Sequence, residues 1–427
     1  MDQPLSLLLL LLLILPLLRL PPAGLSFSVG AGLGVGVGIG SGGSGVWVGV
    51  GPNNDPPSSQ LKAAYNALQA WKSSITEDPK GILRTWTGTD VCSYRGVFCS
   101  QPPGEDALGG SNNVVVAGID LNWANLRGTF VEELSALSDL TLIHLNSNRF
   151  TGPVPDSFAD LVSLQELDLS NNEFSGSFPR VTLYMPSLIY LDLRYNNFAG
   201  EIPPELFEKR LDAILLNNNG FSGELPDSLG NSPASVINLA NNRLRGGMPF
   251  GFGLASAPKV REILLLNNQL TGCVPEEIGL FGNLEVLDAS YNFLAGHLPD
   301  TLSCLGQIEV LNFGHNRLSG VLPETVCSLK SLLNLTVSFN FLSGIGDECM
   351  RLLARNIGFD YSANCVPEQG SQRPGTDCSI VPGGSLSCLR LPAPAQPVVC
   401  AAVASLSSTI GDAVGSIGGG DDTPFYP

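Results

Sequence analysis

One pattern of apolar and polar positions repeats along the chain from about residue 115 onward. In the turn around Asn148, apolar residues stand at positions 140, 143, 145, 150 and 154, and Pro155 follows. An earlier turn carries Ala124 in the asparagine position, so ten turns extend over 216 residues in nine steps, a mean spacing of 24. The remaining eight turns have their asparagine at Asn172, Asn196, Asn219, Asn242, Asn268, Asn292, Asn316 and Asn340.

Each recurring position has a mechanical role. Apolar residues two positions apart point inward from a short parallel strand, and the residues beside them point to the opposite, concave face. The asparagine stands where the chain leaves the strand, where its amide can satisfy main-chain groups. The glycine permits the next bend, and the proline begins the convex segment without needing an amide donor. The pattern predicts a solenoid whose stacked turns share one core.

The period and the pattern resemble those of leucine-rich repeats, and Gly200-Glu-Ile-Pro203 is similar to the plant extracellular class of these repeats. The resemblance implies an α/β solenoid of about ten 24-residue repeats, with disulfide-bonded caps at both ends. We place the repeats at residues 115–346 and the caps at 60–114 and 347–400.

The N-terminal cap is predicted to contain an amphipathic helix over residues 61–75. Its apolar residues follow one another at steps of three or four, which places them on one helical face: Leu61, Tyr65, Leu68, Trp71 and Ile75. We expect this face to cover the open end of the first repeat.

The N-terminus predicts secretion. Residues 5–18 are almost all leucine, a length that is short for a membrane span and typical of a signal-peptide core. Asp2 stands where a basic residue is usual, and a membrane anchor is the alternative interpretation. We predict a signal peptide at 1–24, a glycine-rich low-complexity linker at 25–59 and a flexible tail at 401–427. We expect no segment that spans a membrane.

A secreted chain with 10 cysteines is expected to form disulfides. Cys92 and Cys99 lie in the N-terminal cap, and we expect them to pair. Three further cysteines lie in the repeats and five follow, so full pairing requires a bridge between the two regions. Cys327 and Cys349 occupy similar places in successive turns, which suits such a bridge. The alternative is intermolecular pairing, with a free thiol at Cys388 or Cys400.

The composition and the motifs limit the classes of function that we expect for this chain. There are 22 Lys and Arg residues against 39 Asp and Glu residues, a net charge of −17, which argues against binding to nucleic acid or anionic lipid. No nucleophile elbow, zinc-protease motif or phosphate loop is present, and the three histidines are scattered. We therefore expect no enzymatic activity, no cofactor and no metal site.

The strand positions that face the concave surface predict a binding site for a basic partner, because acidic side chains there steer cations. Only Arg194 opposes them, and the alternative is that these acids are merely solvated. The acidic candidates are Asp120, Glu166, Asp168, Asp192, Glu262 and Asp288. The aromatic and apolar candidates on the same face are Tyr190, Tyr195, Leu215, Leu264, Leu266, Tyr291 and Phe339.

Several longer strings resemble leucine-rich repeat extensins, over roughly residues 60–380. These strings are Leu61-Lys-Ala-Ala-Tyr-Asn-Ala-Leu-Gln-Ala-Trp-Lys72, Asp90-Val-Cys-Ser-Tyr-Arg-Gly-Val-Phe-Cys99, Val116-Ala-Gly-Ile-Asp-Leu121, Leu211-Asp-Ala-Ile-Leu-Leu-Asn-Asn-Asn219, Pro226-Asp-Ser-Leu-Gly-Asn-Ser-Pro-Ala-Ser-Val236 and the cap around Cys365 and Cys378. The resemblance implies a cell-wall protein that binds small basic, cysteine-rich peptides of the rapid alkalinization factor type, as a dimer. It also implies that Cys365 and Cys378 belong to a disulfide-bonded cap.

Two features qualify that resemblance. The family's Ser-Pro-rich extensin tail, which locks these proteins into the wall, does not follow Cys400, so we expect no covalent wall anchoring. Asn334-Leu-Thr336 is an acceptor sequence for glycosylation near the concave surface, and a glycan there would direct a ligand toward the middle repeats. Two alternatives are a defence protein of the polygalacturonase-inhibitor type and a structural wall component without a discrete ligand.

Overall fold

The computed structural model describes residues 35–37, 46–48, 59–101, 114–249, 259–379, 388 and 400. The predicted signal peptide and the predicted tail lie outside the described residues. Inside the predicted linker, the strands Val35–Val37 and Val46–Val48 pair antiparallel as a unit of their own. The low-complexity interpretation did not anticipate this pairing.

The repeats stack their first strands into one 12-stranded sheet that forms the concave face. The first pair is antiparallel and every later pair is parallel, in a register that places equivalent residues of successive repeats side by side, as with Leu167, Leu191 and Ile214. The strands are Val97–Ser100, Val115–Asp120, Leu142–His144, Glu166–Asp168, Tyr190–Asp192, Ala213–Leu215, Val236–Asn238, Glu262–Leu264, Val286–Asp288, Val310–Asn312, Asn334–Thr336 and Gly358–Asp360. The predicted leucine-rich repeat solenoid is confirmed.

A second set of strands follows each turn and forms a seven-stranded and a three-stranded sheet. The seven-stranded sheet contains Arg127–Thr129, Arg149–Gly152, Glu173–Gly176, Asn197–Glu201, Gly220–Glu224, Arg243–Gly246 and Gln269–Leu270, and the three-stranded sheet contains Ala295–Gly296, Arg317–Leu322 and Phe341–Ile345.

Short 3₁₀ segments rather than long α-helices form most of the convex side, and prolines such as Pro203 precede many of them. Their bounds are Glu132–Ala136, Asp156–Asp160, Arg180–Tyr184, Pro204–Glu208, Asp227–Asn231, Glu276–Leu280 and Asp300–Cys304, with further 3₁₀ segments at Ile82–Thr85, Val91–Ser93 and Leu353–Arg355. In the described ranges the α-helices are Ser59–Ser74, Glu324–Cys327, Asp347–Met350 and Gly375–Cys378.

The core is a column of aliphatic side chains with a ladder of phenylalanines beside it. Phe150, Phe174, Phe198 and Phe221 are fully buried, and neighbouring rings stack with centroids 6.1–6.3 Å apart. Stacked aromatic rings add about 0.5–1.5 kcal/mol per pair beyond their burial. The ladder therefore couples each repeat to the next one.

The repeating asparagines join successive turns through the main chain. Asn268 donates from Nδ2 to the carbonyls of Leu239 and Leu265, at 3.0 and 3.1 Å, and its Oδ1 accepts from the amide of Leu244 at 3.0 Å. The side chain is buried, so these bonds satisfy main-chain groups that water does not reach. This is the role that the sequence predicts for the asparagine.

The helix Ser59–Ser74 covers the N-terminal end of the core. Leu68 and Trp71 are fully buried, and Trp71 stacks between Trp86, Phe130 and Phe150 at centroid distances of 5.8–6.0 Å. Cys92 bonds to Cys99 beside this cluster. The N-terminal cover is thus built from residues close together in sequence.

The C-terminal end is held by four bridges, of which two reach far back along the solenoid. Cys327 bonds to Cys349, and Cys365 bonds to Cys378. The remaining pairs are Cys273–Cys388 and Cys304–Cys400, with sequence separations of 115 and 96 residues. All 10 cysteines are therefore paired, so the alternative of a free thiol at Cys388 or Cys400 is wrong.

Candidate functional site

The concave face presents two side-chain positions from each strand, because residues two apart in a strand point the same way. The strands nearest the N-terminal cap carry mainly polar side chains, with Leu142 among them, and the polar ones form what we call the charged zone: Asp120, His144, Glu166, Asp168, Tyr190, Asp192 and Arg194. The later strands mix apolar side chains with Asn238, Glu262, Asp288 and Asn312, and the apolar ones, all half-buried, form what we call the apolar zone: Ala213, Leu215, Val236, Leu264, Leu266, Val286 and Val310.

His144 and Glu166 form a pair across two adjacent strands of the charged zone. The His144 Nε2 atom lies 2.9 Å from Glu166 Oε2, and both side chains are three-quarters buried or more. Partial burial by itself would lower the pKa of His144, but the hydrogen bond to Glu166 and the carboxylates of Asp120 and Asp168 outweigh it and raise the pKa. The sequence alone does not mark His144 as a site residue, because its partner Glu166 lies one full repeat away.

Asp192 serves to hold Arg194 and is not exposed to a ligand. Its side chain is 0% exposed, and its carboxylate accepts from Arg194 Nη2 at 2.7 Å and from Arg194 Nε at 3.1 Å. The Tyr190 hydroxyl donates to Asp192 Oδ2 at 3.3 Å. Burial raises the pKa of Asp192 to about 6, against the opposing influence of Arg194. The alternative that these acids are merely solvated does not hold for Asp192, and its role in peptide binding stays a prediction.

Asp168 and Asp288 occupy the same strand position and differ in exposure. Each carboxylate accepts from the amide and the hydroxyl of the serine two residues later, at 2.9 and 2.6 Å. Asp288 also accepts from Asn312 Nδ2 at 3.0 Å and is buried, and this burial raises its pKa. Asp168 remains half-buried. Among the predicted acids of the concave strands, Asp120, Glu166, Asp168 and Glu262 are therefore partly exposed, and Glu166 is engaged by His144.

Glu262 stands alone inside the apolar zone. Val236 and Val286 are its neighbours on the adjacent strands. Arg261, the next residue, points to Glu285 instead and forms a bidentate pair at 2.7–2.8 Å. Burial and the nearby Glu285 carboxylate raise the pKa of Glu262. Among the described residues, no donor satisfies the Glu262 carboxylate, so it is available to a cation from outside.

Three of the four predicted aromatic residues lie at the rim of the concave face, whereas Tyr190 begins a concave strand. Tyr195, Tyr291 and Phe339 occupy the turn just after the strand, where φ is +52 to +56°. Tyr195 is 52% exposed, so it is accessible at the edge of the charged zone. The imidazole of His315 stacks between Tyr291 and Phe339, with ring centroids 4.0 and 4.1 Å apart. The assignment of these aromatics to the strand surface is wrong, because the chain has already left the strand there.

Asn334 begins the strand Asn334–Thr336 and is half-buried on the concave sheet. Val310 and Gly358 are its neighbours on the adjacent strands, and the Asn334 Nδ2 group packs so closely on Gly358 that a side chain there would meet it. Glycosylation of Asn334 stays a prediction.

One buried side-chain oxygen near the concave face has an unusual environment. The Oδ1 atom of Asn217 is buried and accepts no hydrogen bond from any described residue. Asn217 follows the strand Ala213–Leu215, where the charged zone meets the apolar zone.

The described part of the chain contains no helix that is long and apolar enough to cross a lipid bilayer.

Comparison with known families agrees with this architecture. A family model described as leucine rich repeat matches residues 120–174 and 138–198, and a second leucine-rich repeat model matches 283–305 and 307–329. The leucine rich repeat N-terminal domain model matches residues 62–100, which includes the helix and the Cys92–Cys99 bridge.

Three curated relatives from Arabidopsis thaliana are leucine-rich repeat extensin-like proteins. Extensin-like protein 2 is 49% identical over 353 residues, which is 77% of this chain and 41% of the relative. Extensin-like protein 7 is 59% identical and covers 55% of this chain and 53% of the relative. Extensin-like protein 4 is 62% identical over a stretch that covers 37% of this chain and 31% of the relative. The chain thus spans about half the length of these relatives or less.

Solved structures with the same architecture are plant receptor ectodomains. The TDR receptor has a TM-score of 0.55 at 32% identity, covering 58% of this chain and 43% of the receptor. The peptide hormone receptor RGFR1, in complex with RGF2, has a TM-score of 0.53 at 29% identity, covering 58% and 39%. The Arabidopsis receptor kinase HAESA, in complex with the peptide hormone IDA and the co-receptor SERK1, has a TM-score of 0.52 at 25% identity, covering 72% and 54%.

Proposed function

Since the chain is a leucine-rich repeat protein homologous to the leucine-rich repeat extensin-like proteins, we propose that it binds a basic, cysteine-rich signalling peptide of the rapid alkalinization factor type on its concave face. The single observation that carries the proposal is the charged zone. There Asp120 and Asp168 are partly exposed, whereas Glu166 pairs with His144 and the cation of Arg194 is already held by Asp192. An accessible carboxylate cluster on a concave surface attracts and orients cations.

A peptide fits this surface better than a globular partner does. RGFR1 and HAESA, which share the architecture, are described in complexes with the peptides RGF2 and IDA. The exposed ring of Tyr195 supplies apolar contact at the rim of the concave face.

We place the protein outside the cell, in the apoplast or the cell wall. Five disulfides fit an oxidising compartment, and the extensin-like relatives fit a wall protein. A role in binding rather than catalysis is part of the proposal. The dimer implied by the resemblance to extensins stays a proposal as well.

The test compares two charge-neutralising double variants with the same change in net charge. Asp120→Asn with Asp168→Asn alters the charged zone, and Asp156→Asn with Asp227→Asn alters exposed acids of the convex 3₁₀ segments. With a synthetic oxidised basic peptide as the probe, we expect the concave variant to bind about 10-fold more weakly, about 1.4 kcal/mol. The convex variant should keep its affinity within about twofold.

Titration calorimetry at two salt concentrations provides the measurement. Equal loss in both variants would mean that only net charge matters, and the concave assignment would be wrong. Tight binding to a polygalacturonase, undisturbed by the concave variant, would favour the inhibitor alternative instead.

A further inference from the structure

We propose that the ligand is an amphipathic peptide that lies across the strands, with a cationic segment on the charged zone, an apolar segment on the apolar zone and one more cation on Glu262. This inference rests on the proposed peptide binding and specifies the order of side chains along that peptide.

The apolar zone supplies the first argument. Four of its side chains occupy the first outward position of their strands, which pair in register around Glu262: Ala213, Val236, Val286 and Val310. Leu215 and Leu264 occupy the second outward position on either side of Asn238, and Leu266 follows the same strand as Leu264. All of these apolar side chains are half-buried. Apolar side chains that cluster on a solvent-facing surface mark a place where a partner excludes water.

The position of Glu262 supplies the second argument. A carboxylate flanked by Val236 and Val286 offers one charge within an apolar surround. Arg261 is engaged with Glu285 and does not compete for it. A lysine or arginine side chain suits this place, because its aliphatic stem packs on the valines while its charged end reaches the carboxylate. A purely apolar ligand segment would bury Glu262 without a partner, which is unfavourable.

The third argument is the distance across the strands from the charged zone to Glu262, which sets the spacing of the basic residues in the peptide. Four strand steps separate Asp168 from Glu262 in the register. At about 4.8 Å per step this is roughly 19 Å, which an extended peptide covers with about six residues. The residues between the two cations would cross Tyr190 and then lie over Ala213, Leu215 and Val236. The ligand therefore needs apolar residues between two basic positions about six residues apart.

A second copy of this chain is the competing occupant of the apolar zone. A net charge of −17 opposes self-association through an acidic concave face, and a curved inner surface admits a peptide more readily than a second solenoid. We therefore assign the zone to a peptide and make self-association an outcome of the test.

The test uses three synthetic, fluorescently labelled peptides of equal length. The ordered peptide has two adjacent lysines, then five apolar residues, then a third lysine. The shuffled peptide has the same composition with lysines and apolar residues alternating, and the third peptide has serine at each apolar position. We expect the ordered peptide to bind the full chain at least about 10-fold more tightly than either control, measured by fluorescence anisotropy.

Variants then separate the two zones. Leu264→Asn with Val286→Thr should remove the advantage of the ordered peptide and leave the affinity for the serine peptide unchanged. That unchanged affinity shows that the variant is folded. Glu262→Gln should weaken binding of the ordered peptide about fivefold. It should not change the affinity for a version of that peptide that lacks the third lysine. Asp168→Asn should weaken all three peptides.

The outcomes distinguish the inference from the proposed function. Equal binding of the three peptides, all weakened by Asp168→Asn, would overturn the inference and leave peptide binding intact. Failure of every one of these peptides to bind would overturn the inference, and failure of the oxidised basic peptide as well would overturn the proposed function. Sedimentation that shows a dimer, dissociated by Leu264→Asn with Val286→Thr, would assign the apolar zone to a second copy and overturn the inference.

Discussion

The two ends of the solenoid are covered in different ways. At the N-terminal end, the helix Ser59–Ser74, the indole rings of Trp71 and Trp86 and the Cys92–Cys99 bridge lie within about 40 residues of one another and pack directly on the first repeats. At the C-terminal end, Cys388 and Cys400 bond to Cys273 and Cys304, which lie several repeats earlier. The first end is closed by packing of local sequence, and the second is closed by covalent links between distant residues.

The difference shows how each end resists unfolding. Packing at the N-terminal end stabilises the folded state by burying aromatic surface, whereas a long-range bridge acts largely by restricting the unfolded chain. The Cys273–Cys388 bridge packs directly on Gly296. A side chain at this position would collide with the Cys388 sulfur, and the φ of +79° also favours glycine. The predictions below probe this contrast.

The largest effect is expected at the C-terminal end. Replacing both Cys273 and Cys388 by serine removes a link across 115 residues. The chain-entropy relation assigns up to about 5 kcal/mol to a loop of that size. Urea unfolding, followed by circular dichroism, measures the change. A loss below about 1 kcal/mol would show that the shorter bridges already hold the C-terminal end.

Trp71→Ala should be the most damaging single substitution at the N-terminal end. The ring is fully buried against Trp86, Phe130 and Phe150, so its removal leaves a cavity and should cost about 4 kcal/mol. Trp71→Phe is the matched control. The indole Nε1 has no hydrogen-bond partner among the described residues, so the phenylalanine variant should lose clearly less in the same unfolding assay.

Removing the short bridge at the N-terminal end should cost less than removing the long one. Cys92 and Cys99 are 7 residues apart, for which the chain-entropy relation gives about 2 kcal/mol. The double serine variant should therefore unfold at a higher urea concentration than the Cys273 and Cys388 variant. The reverse order would mean that local packing around the bridge, not loop closure, determines its contribution.

The smallest effect concerns pH and the pair of His144 with Glu166. The pKa of His144 is raised in the folded state, so its stabilisation is complete below its unfolded pKa of about 6.5 and is lost as pH rises through the higher folded value. Relative to His144→Asn, the native chain should be more stable by about 1 kcal/mol at about pH 5.5 and lose that advantage above neutrality. A difference that is independent of pH would show that His144 is neutral throughout.

The candidate site could be predicted in part. The strand pattern correctly places Glu166, Asp168, Tyr190 and Glu262 on the concave face, since alternation along a strand is a local property. The pattern did not predict the burial of Asp192 and Asp288, which depends on the side chains that neighbouring residues and repeats supply. The peptide-binding role of the whole set stays a prediction.

The sequence by itself determined the period, the parallel stacking and the N-terminal cover, because each depends on residues within one repeat or one helix. The spacing of Asn172 and Asn196 sets the number of residues in one turn. The apolar face of the helix Ser59–Ser74 determines which side of that helix packs on the core. Only the tertiary structure decided which residues pair with Cys388 and Cys400 and that His144 contacts Glu166. It also decided which apolar side chains of different strands lie near one another in the apolar zone. These depend on which residues of different turns lie side by side, and that is set by the register of the whole stack.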